Sequence, residues 1–251
     1  LHEAGVKVVG ICETLRRRDV FWKLPSLLAD LSMLGQGREY LKRIRRAGIP
    51  LWTGRLVTRA EGEDRLRQVL IAPCNGNWFP DYSRVSQLEI DTLCVGYGFV
   101  PRVGLPQLAG CELVCHAELG GWAPRVDAWG ETSIPNVWAA GDGAGVAGAI
   151  VAELAGELAG LAIAVRAGAL DSSACEAHAA PIRQRLSRLA RFRGALDRLG
   201  RIRPGLSSLA DEQTIVCRCE ELTRAEVDQA TTTGSVTLRA LKVATRLGMG
   251  P

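Results

Sequence analysis

The sequence predicts an α/β fold of the Rossmann-like kind, and three observations carry that prediction. A buried apolar run, Val6 to Cys12, closes on the acidic Glu13 and is followed by helical patterns. The stretch "VWAAGDGAGVAGAIV" reads as a strand, a glycine-rich turn and the start of a helix. Short strand-like runs alternate with longer helical ones over most of the chain, the pattern of a sheet covered by helices.

The elements follow in order. "LHEAG" reads as the end of a helix turning at Gly5, and the strand from Val6 then forms part of a βαβ unit. "LPSLLADLSMLG" and "REYLKRIRRAG" have helical spacing, and "IPLWTG" is a short strand. "RLVTRAEGEDRLRQVLI" predicts two strands joined at the polar turn "EGED". "LEIDTLCVGYGFVP" predicts another buried strand running into Gly96 and Gly98. A strand from Asn136, the glycine turn and a long helix come next, then a pair of amphipathic helical stretches in "CEAHAAPIRQRLSRLARFRGALDRLG". From Thr214 a small separate module begins, in which Thr223 and Glu226 predict a capping box.

Composition narrows the function. With 251 residues, 47% hydrophobic and 23% charged, the chain is long enough for a sizeable core. A formal charge of +4 is modest, and the arginine runs sit at helical spacing among apolar residues. They read as solvated helix faces, and no base-reading motif accompanies them, so no nucleic-acid partner is expected. Eight cysteines are too sparse for a disulfide scaffold in a chain of this length. Cys12, Cys74, Cys94, Cys111 and Cys115 are expected as small buried hydrophobes, and a cytoplasmic location fits. The apolar stretch Val146 to Gly168 carries Glu153 and Glu157 mid-span. Two carboxylates in hydrocarbon cost several kcal/mol, about 2.5–3.5 each, so a buried helix is expected and no transmembrane segment.

Three places have residue types suited to chemistry. In the glycine turn, Gly141, Gly143 and Gly145 let backbone approach a phosphate or sugar, and the helix end beyond them offers free N–H donors. Asp142 is placed to accept hydrogen bonds from sugar or ribityl hydroxyls; a close strand–helix turn with an N-cap aspartate explains the pattern equally well. Glu13 stands where a dinucleotide fold binds the adenosine ribose, while Arg16, Arg17 and Arg18 would suit a 2′-phosphate, leaving NAD and NADP both open. A strand-end carboxylate paired to arginine is the plainer alternative. Cys217 and Cys219, in "TIVCRCEELTRAEV", can share a metal or cluster, but such a site needs four ligands and Cys175 is a poor third. Tyr97 either lines a cofactor or packs beside the strand-end glycines. No hydrolytic triad or carboxylate pair appears.

The segments "CVGYGFVP", "GGWAPRVDAWGETSIPNVWAAGDGAGVAGA", "LARFRGALDRL" and "TIVCRCEELTRAEV", in this order, resemble the FAD- and NAD(P)-binding alpha-type subunits of multi-subunit amine and amino-acid dehydrogenases. That family includes the A-type subunit of opine oxidase, the B-type subunit of hydrogen cyanide synthase, and the alpha subunits of dye-linked proline and hydroxyproline dehydrogenases. The resemblance implies a two-dinucleotide-binding-domain flavoprotein of the glutathione-reductase type, then a helical linker and part of a small [2Fe–2S] module. The implied segments are 1–100 (nucleotide domain), 101–170 (C-terminal half of the FAD domain), 171–210 (linker) and 211–251 (iron–sulfur module).

The resemblance further implies that Gly141, Asp142, Gly143, Gly145, Val146, Ala147, Glu13, Gly96 and Gly98 contact FAD or an adenine nucleotide such as NAD(P). It makes Cys217 and Cys219 two of four cluster ligands, the other two being expected just beyond Pro251. The chain would then be an internal part of a longer polypeptide, with glycine-rich motifs ahead of Leu1. The implied activity is FAD-dependent electron transfer in an amino- or imino-acid dehydrogenase or oxidase. Its partners would be a substrate-oxidising flavoprotein and a small ferredoxin-like protein. An NAD(P)H-dependent reductase passing electrons to an iron–sulfur acceptor, and a non-catalytic scaffold, are the alternatives.

Overall fold

The structure, a computed structural model, describes residues 1–116, 120–234 and 237–250. Pro251, the residue beyond which a further cysteine is expected, lies outside the described residues. Strand β1 (Ile11–Glu13) is followed by helices α1 (Arg17–Phe21), α2 (Leu24–Leu27) and α3 (Leu31–Arg46), then β2 (Leu51–Thr53). Strands β3 (Arg55–Glu61), β4 (Gln68–Pro73) and β5 (Ser86–Glu89) come next, then α4 (Gly104–Leu108), β6 (Leu113–His116) and β7 (Gly121–Pro124). Helices α5 (Ala149–Arg166), α6 (Ser172–Gly200) and α7 (Pro204–Ser207) precede β8 (Ile215–Cys217), β9 (Leu222–Thr223), α8 (Arg224–Thr232) and α9 (Leu238–Thr245). The chain divides into two compact units, Leu1–Thr53 with Leu93–Arg201, and Gly54–Thr92 with Ile202–Pro251.

In the first unit β1 and β2 are parallel, with Glu13 opposite Thr53, and the three helices between them make the crossover. Gly10 precedes β1 because the Trp52 ring occupies the space a Cβ would need. Asp30 starts α3 by accepting the Met33 N–H at 3.0 Å, and Arg43, Arg45 and Arg46 crowd its last turn, where the helix dipole favours positive charge. Leu27, Phe192 and Ala195 form a buried cluster that joins α2 to α6, with Val20, Met33 and Leu34 packed around it. Helix α5 packs on α6, burying Leu154, Leu158 and Ala159. Glu153 and Glu157 are exposed, and no described helix is long and apolar enough to cross a membrane.

The second unit holds the antiparallel sheet β3-β4-β5, in which Val69 and Ile71 on one face and Leu56 and Ala72 on the other are buried. The turn between β3 and β4 falls where "EGED" predicts it. Gly205 opens this unit's second segment pressed against the Trp78–Phe79 backbone, its N–H donating to the Asn77 carbonyl at 2.8 Å. The capping box forms as expected. The Thr223 N–H donates to Glu226 Oε2 at 2.7 Å, and the Glu226 N–H donates to Thr223 Oγ1 at 3.4 Å.

Five expectations change. The buried strand through "LEIDTLCVGYGFVP" stops at Glu89; no described strand pairs with 91–103, so its backbone groups have no ladder to join, and Phe99 is 80% exposed. The strand from Asn136 reduces to one bridge between Glu131 and Trp138, and the strand from Val6 to its last residues, Ile11–Glu13. The two amphipathic stretches form one helix, α6, because Cys175, Ala179, Leu189, Phe192 and Ala195 keep a single buried stripe through exposed Pro181. Of the five cysteines expected to be buried, only Cys111 is; Cys94 lies in the unpaired segment and Cys115 near the end of β6, both exposed.

A Cβ at position 205 would overlap backbone atoms, so Gly205→Ala should cost about 1–3 kcal/mol of stability. Gly37, mid-helix in α3 with open space around it, should gain up to about 1 kcal/mol as alanine. Urea unfolding of both variants checks the pair of signs.

Candidate functional site

The glycine turn is a constrained stretch of backbone in the first unit. From Ala140 the chain enters a short 3₁₀ turn, Gly141–Ala144, then reaches α5 through Gly145 to Gly148. Gly141, Gly145 and Gly148 have φ of 73°, 126° and 90°. At Gly145 and Gly148, ψ of 136° and 159° complete conformations that residues with side chains rarely adopt. No side chain caps α5, so its first N–H groups are left for another acceptor. Asp142 is exposed on the turn, and its backbone carbonyl accepts from the Gly145 N–H at 3.4 Å. A cavity of about 280 Å³ opens beside it, lined by Trp129, Ala139, Gly141, Ala147, Val151 and Leu186 among others. Backbone without side chains, free helix N–H groups and an exposed carboxylate fit a ligand that carries hydroxyls and phosphates.

Two features that hold this turn are not among the residues the sequence singles out. Arg166, at the end of α5, makes a forked pair with Glu131, at 2.6 and 3.2 Å, and donates to Asn136 Oδ1 at 2.9 Å. The Asn136 N–H donates to Glu131 Oε1, and this bond, ahead of Arg166, holds the Glu131 carboxyl below its ordinary range. Arg193 on α6 donates from Nη2 to the Val146 carbonyl at 3.1 Å. The sequence signals for Arg193 are its place in "LARFRGALDRL", one of the segments that carry the resemblance, and its i,i+4 spacing to Asp197.

Glu13 ends β1 with its side chain exposed, which suits a ribose ligand and a plain strand-end carboxylate alike. Of the three arginines after it, Arg16 is committed to a forked pair with Asp19 at 2.7 and 2.8 Å, which lowers the Asp19 carboxyl. Arg17 and Arg18 are exposed. Gly96 and Gly98 are not brought to the turn by any described contact; both lie in the exposed segment, and nothing stands within 4 Å of where a Cβ would be. Tyr97 between them has its phenol pushed up by partial burial and then by the nearby Cys12 thiol.

In the second unit, Cys217 ends β8 and its Sγ lies 3.5 Å from that of Cys219. The chain returns to this pair after α9: Arg246, left-handed at φ 60°, pairs with Glu220 at 3.0 Å. The Gly248 N–H then donates to Cys217 Sγ at 3.3 Å, and Gly250 packs so closely on Cys219 that a Cβ would overlap its thiol. The Gly248 N–H, then those of Glu220 and Cys219 together with the Cys219 thiol, hold the Cys217 thiol below the ordinary range. Among the described residues no third histidine, cysteine or carboxylate joins the two thiols to make a metal-binding group. Two thiols fall short of the four donors that such a site needs.

The pyridine nucleotide-disulphide oxidoreductase family matches residues 29–180, and the chain belongs to that family. It is similar to hydrogen cyanide synthase subunit HcnB of Pseudomonas protegens, 33% identical over 252 residues, which cover 100% of this chain and 53% of the relative. It is 35% identical over 153 residues to the A-type subunit of opine oxidase from Rhizobium meliloti, covering 61% and 29% of the two chains. Both relatives are members of the group that the sequence motifs resemble. The chain spans about half the length of its full-span relatives: 53% of that HcnB and 54% of its counterpart in Pseudomonas aeruginosa. A crystal structure of L-proline dehydrogenase from P. horikoshii shares the fold, with a TM-score of 0.55 at 18% identity over 86% of this chain and 39% of that one.

The N–H groups around Cys217 should make its thiolate form at lower pH than a free thiol. Because the folded state releases this proton more readily than the unfolded chain, the thiolate favours folding above the ordinary thiol range, and that contribution is lost as pH falls through the depressed value. Thiolate absorption in the ultraviolet, wild type minus Cys217→Ser, should titrate below an unperturbed cysteine; a midpoint at or above it contradicts the assignment.

Proposed function

We propose that this chain supplies the nucleotide-binding and flavin-facing parts of an FAD-dependent oxidoreductase subunit. That subunit carries electrons within a multi-subunit amino- or imino-acid dehydrogenase or oxidase. The observation that carries the reading is the turn Gly141–Gly148, side-chain-free at Gly145 and Gly148 and open at the α5 N-terminus, inside the stretch matched to the oxidoreductase family. In this reading Asp142 accepts hydrogen bonds from the ribityl hydroxyls, and the Gly143–Ala147 backbone faces the ribityl–phosphate region. Gly96 and Gly98 belong to the same proposed set, although no described contact supports them. FAD, when bound, supplies two-electron acceptance with onward release of single electrons.

Residues 1–100 form the nucleotide domain in this proposal, with Glu13 toward an adenosine ribose and NAD(P) or another adenine nucleotide as ligand. Residues 101–170 are the second half of the FAD domain and 171–210 the linker. Residues 211–251 begin a [2Fe–2S] module, with Cys217 and Cys219 as two of its four ligands. The thiol separation of 3.5 Å and the return of Gly248 and Gly250 to the pair support this assignment. A substrate-oxidising flavoprotein partner and a small ferredoxin-like partner are part of this reading; that the relatives are themselves named as subunits supports partner subunits in general. A cytoplasmic location belongs to the same proposal, and all eight cysteines are free thiols.

The test is anaerobic reduction of the flavin-loaded, full-length protein by an amino-acid or opine substrate, with and without the substrate-oxidising partner. The flavin band should bleach only when that partner is present. Bleaching by substrate alone at the rate of the complex contradicts the proposal, and rapid bleaching by NADH points to a pyridine-nucleotide-dependent reductase. Asp142→Ala should weaken FAD binding by about tenfold or more, read by flavin fluorescence.

A further inference from the structure

Arg193 stands 47 residues from the carbonyl it holds, on a different helix, and outside the glycine motif. Its Nη2 donates to the Val146 carbonyl at 3.1 Å and also lies 2.9 Å from Asp197 Oδ1, one helical turn further along α6. Nη1 lies 3.8 Å from where a Gly148 Cβ would project. The guanidinium therefore sits against the turn at Val146 and Gly148, and Gly145 and Gly148 on either side of that carbonyl have conformations that side-chain-bearing residues rarely adopt.

The Arg193 side chain is partly buried, 28% exposed, and part of its guanidinium is out of water. Leu189, one turn earlier on the same face of α6, is buried, and Leu186, two turns earlier, lines the cavity beside the turn. Its Nε is buried with no hydrogen-bond partner among the described residues. An apolar side chain would pack here without leaving a buried donor unmet, so packing alone does not account for the residue. What the arginine adds is a charge-assisted bond to one carbonyl of the turn, with Asp197 fixing the direction of the donor.

We propose that Arg193 is a positioning residue for the flavin: oriented by Asp197, it holds the Val146 carbonyl and so fixes the Gly145–Gly148 backbone in its ligand-receiving form. This inference rests on the flavin reading of the turn. Without the bond, the glycine-rich segment regains the freedom that glycine brings to any backbone, and binding must restore that order at the expense of affinity. Helix α6 is thereby part of the flavin site and not only a connector.

The test titrates FAD into flavin-free, full-length protein and follows flavin fluorescence for wild type, Arg193→Ala and Arg193→Lys. Thermal unfolding of the unloaded proteins is measured alongside. Arg193→Ala should bind FAD about tenfold or more weakly, the loss expected for a bond to a charged group. Arg193→Lys, which keeps a cationic donor, should recover most of the affinity and the wild-type shape of the visible flavin band. If the alanine variant does not fold, Asp197→Asn is read instead, with a smaller weakening expected. Wild-type affinity in Arg193→Ala, or in Asp197→Asn where the alanine variant is lost, overturns the inference and leaves the flavin reading standing. So does a drop in stability of the unloaded protein without a change in affinity. Wild-type protein that binds no FAD overturns both.

Discussion

The flavin reading of the first unit depends on one backbone constraint: the chain must pass from Trp138 into α5 through a turn whose conformation at Gly145 and Gly148 suits glycine. A turn of this kind does not hold itself, because glycine gives up more conformational freedom on ordering than any other residue. The structure meets that cost from three sides. Arg166, Glu131 and Asn136 tie the far end of α5 to the segment before the turn. Arg193 ties the Val146 carbonyl to α6. The α5–α6 packing, with Leu154, Leu158 and Ala159 buried, keeps the two helices in place while this happens. The glycines make close approach by a ligand feasible, and the ion pairs around them make the shape reproducible.

The second unit uses the same logic on a smaller scale. Gly248 lies 31 positions beyond Cys217, yet it and Gly250 both return to the thiols. Three elements enforce this: the capping box that starts α8, the left-handed Arg246 that ends α9, and the Arg246–Glu220 pair. The result is a loop in which backbone N–H groups converge on sulfur, an environment that favours the thiolate, the form in which a cysteine binds a metal.

The local parts are legible in the sequence. The βαβ start, the β3–β4 hairpin, the long Ala- and Gly-rich helix, the Thr223–Glu226 cap and the glycine turn follow from periodicity and turn chemistry, which are local properties. What the sequence hides is non-local. Residues 91–103 have the apolar character of a buried strand, but a strand also needs a neighbour, and a sequence window cannot say whether one is there. Cys94 is exposed for the same reason. Gly96 and Gly98 have the composition of a ligand loop, whereas no described contact brings them to the turn. Arg193 is hidden for the opposite reason: in sequence it is one arginine among many on an amphipathic helix, and only the fold reveals the carbonyl it holds.

One measurement bears on the whole interpretation: the flavin content of the full-length protein purified without added cofactor, from heat-released flavin and the visible spectrum. The glycine turn, with its supports on α5 and α6, predicts FAD in stoichiometric amount with the polypeptide, lost or greatly reduced when Asp142 is replaced. Protein that is colourless, and that takes up no FAD on titration, would contradict it and leave the turn as a strand–helix connection alone.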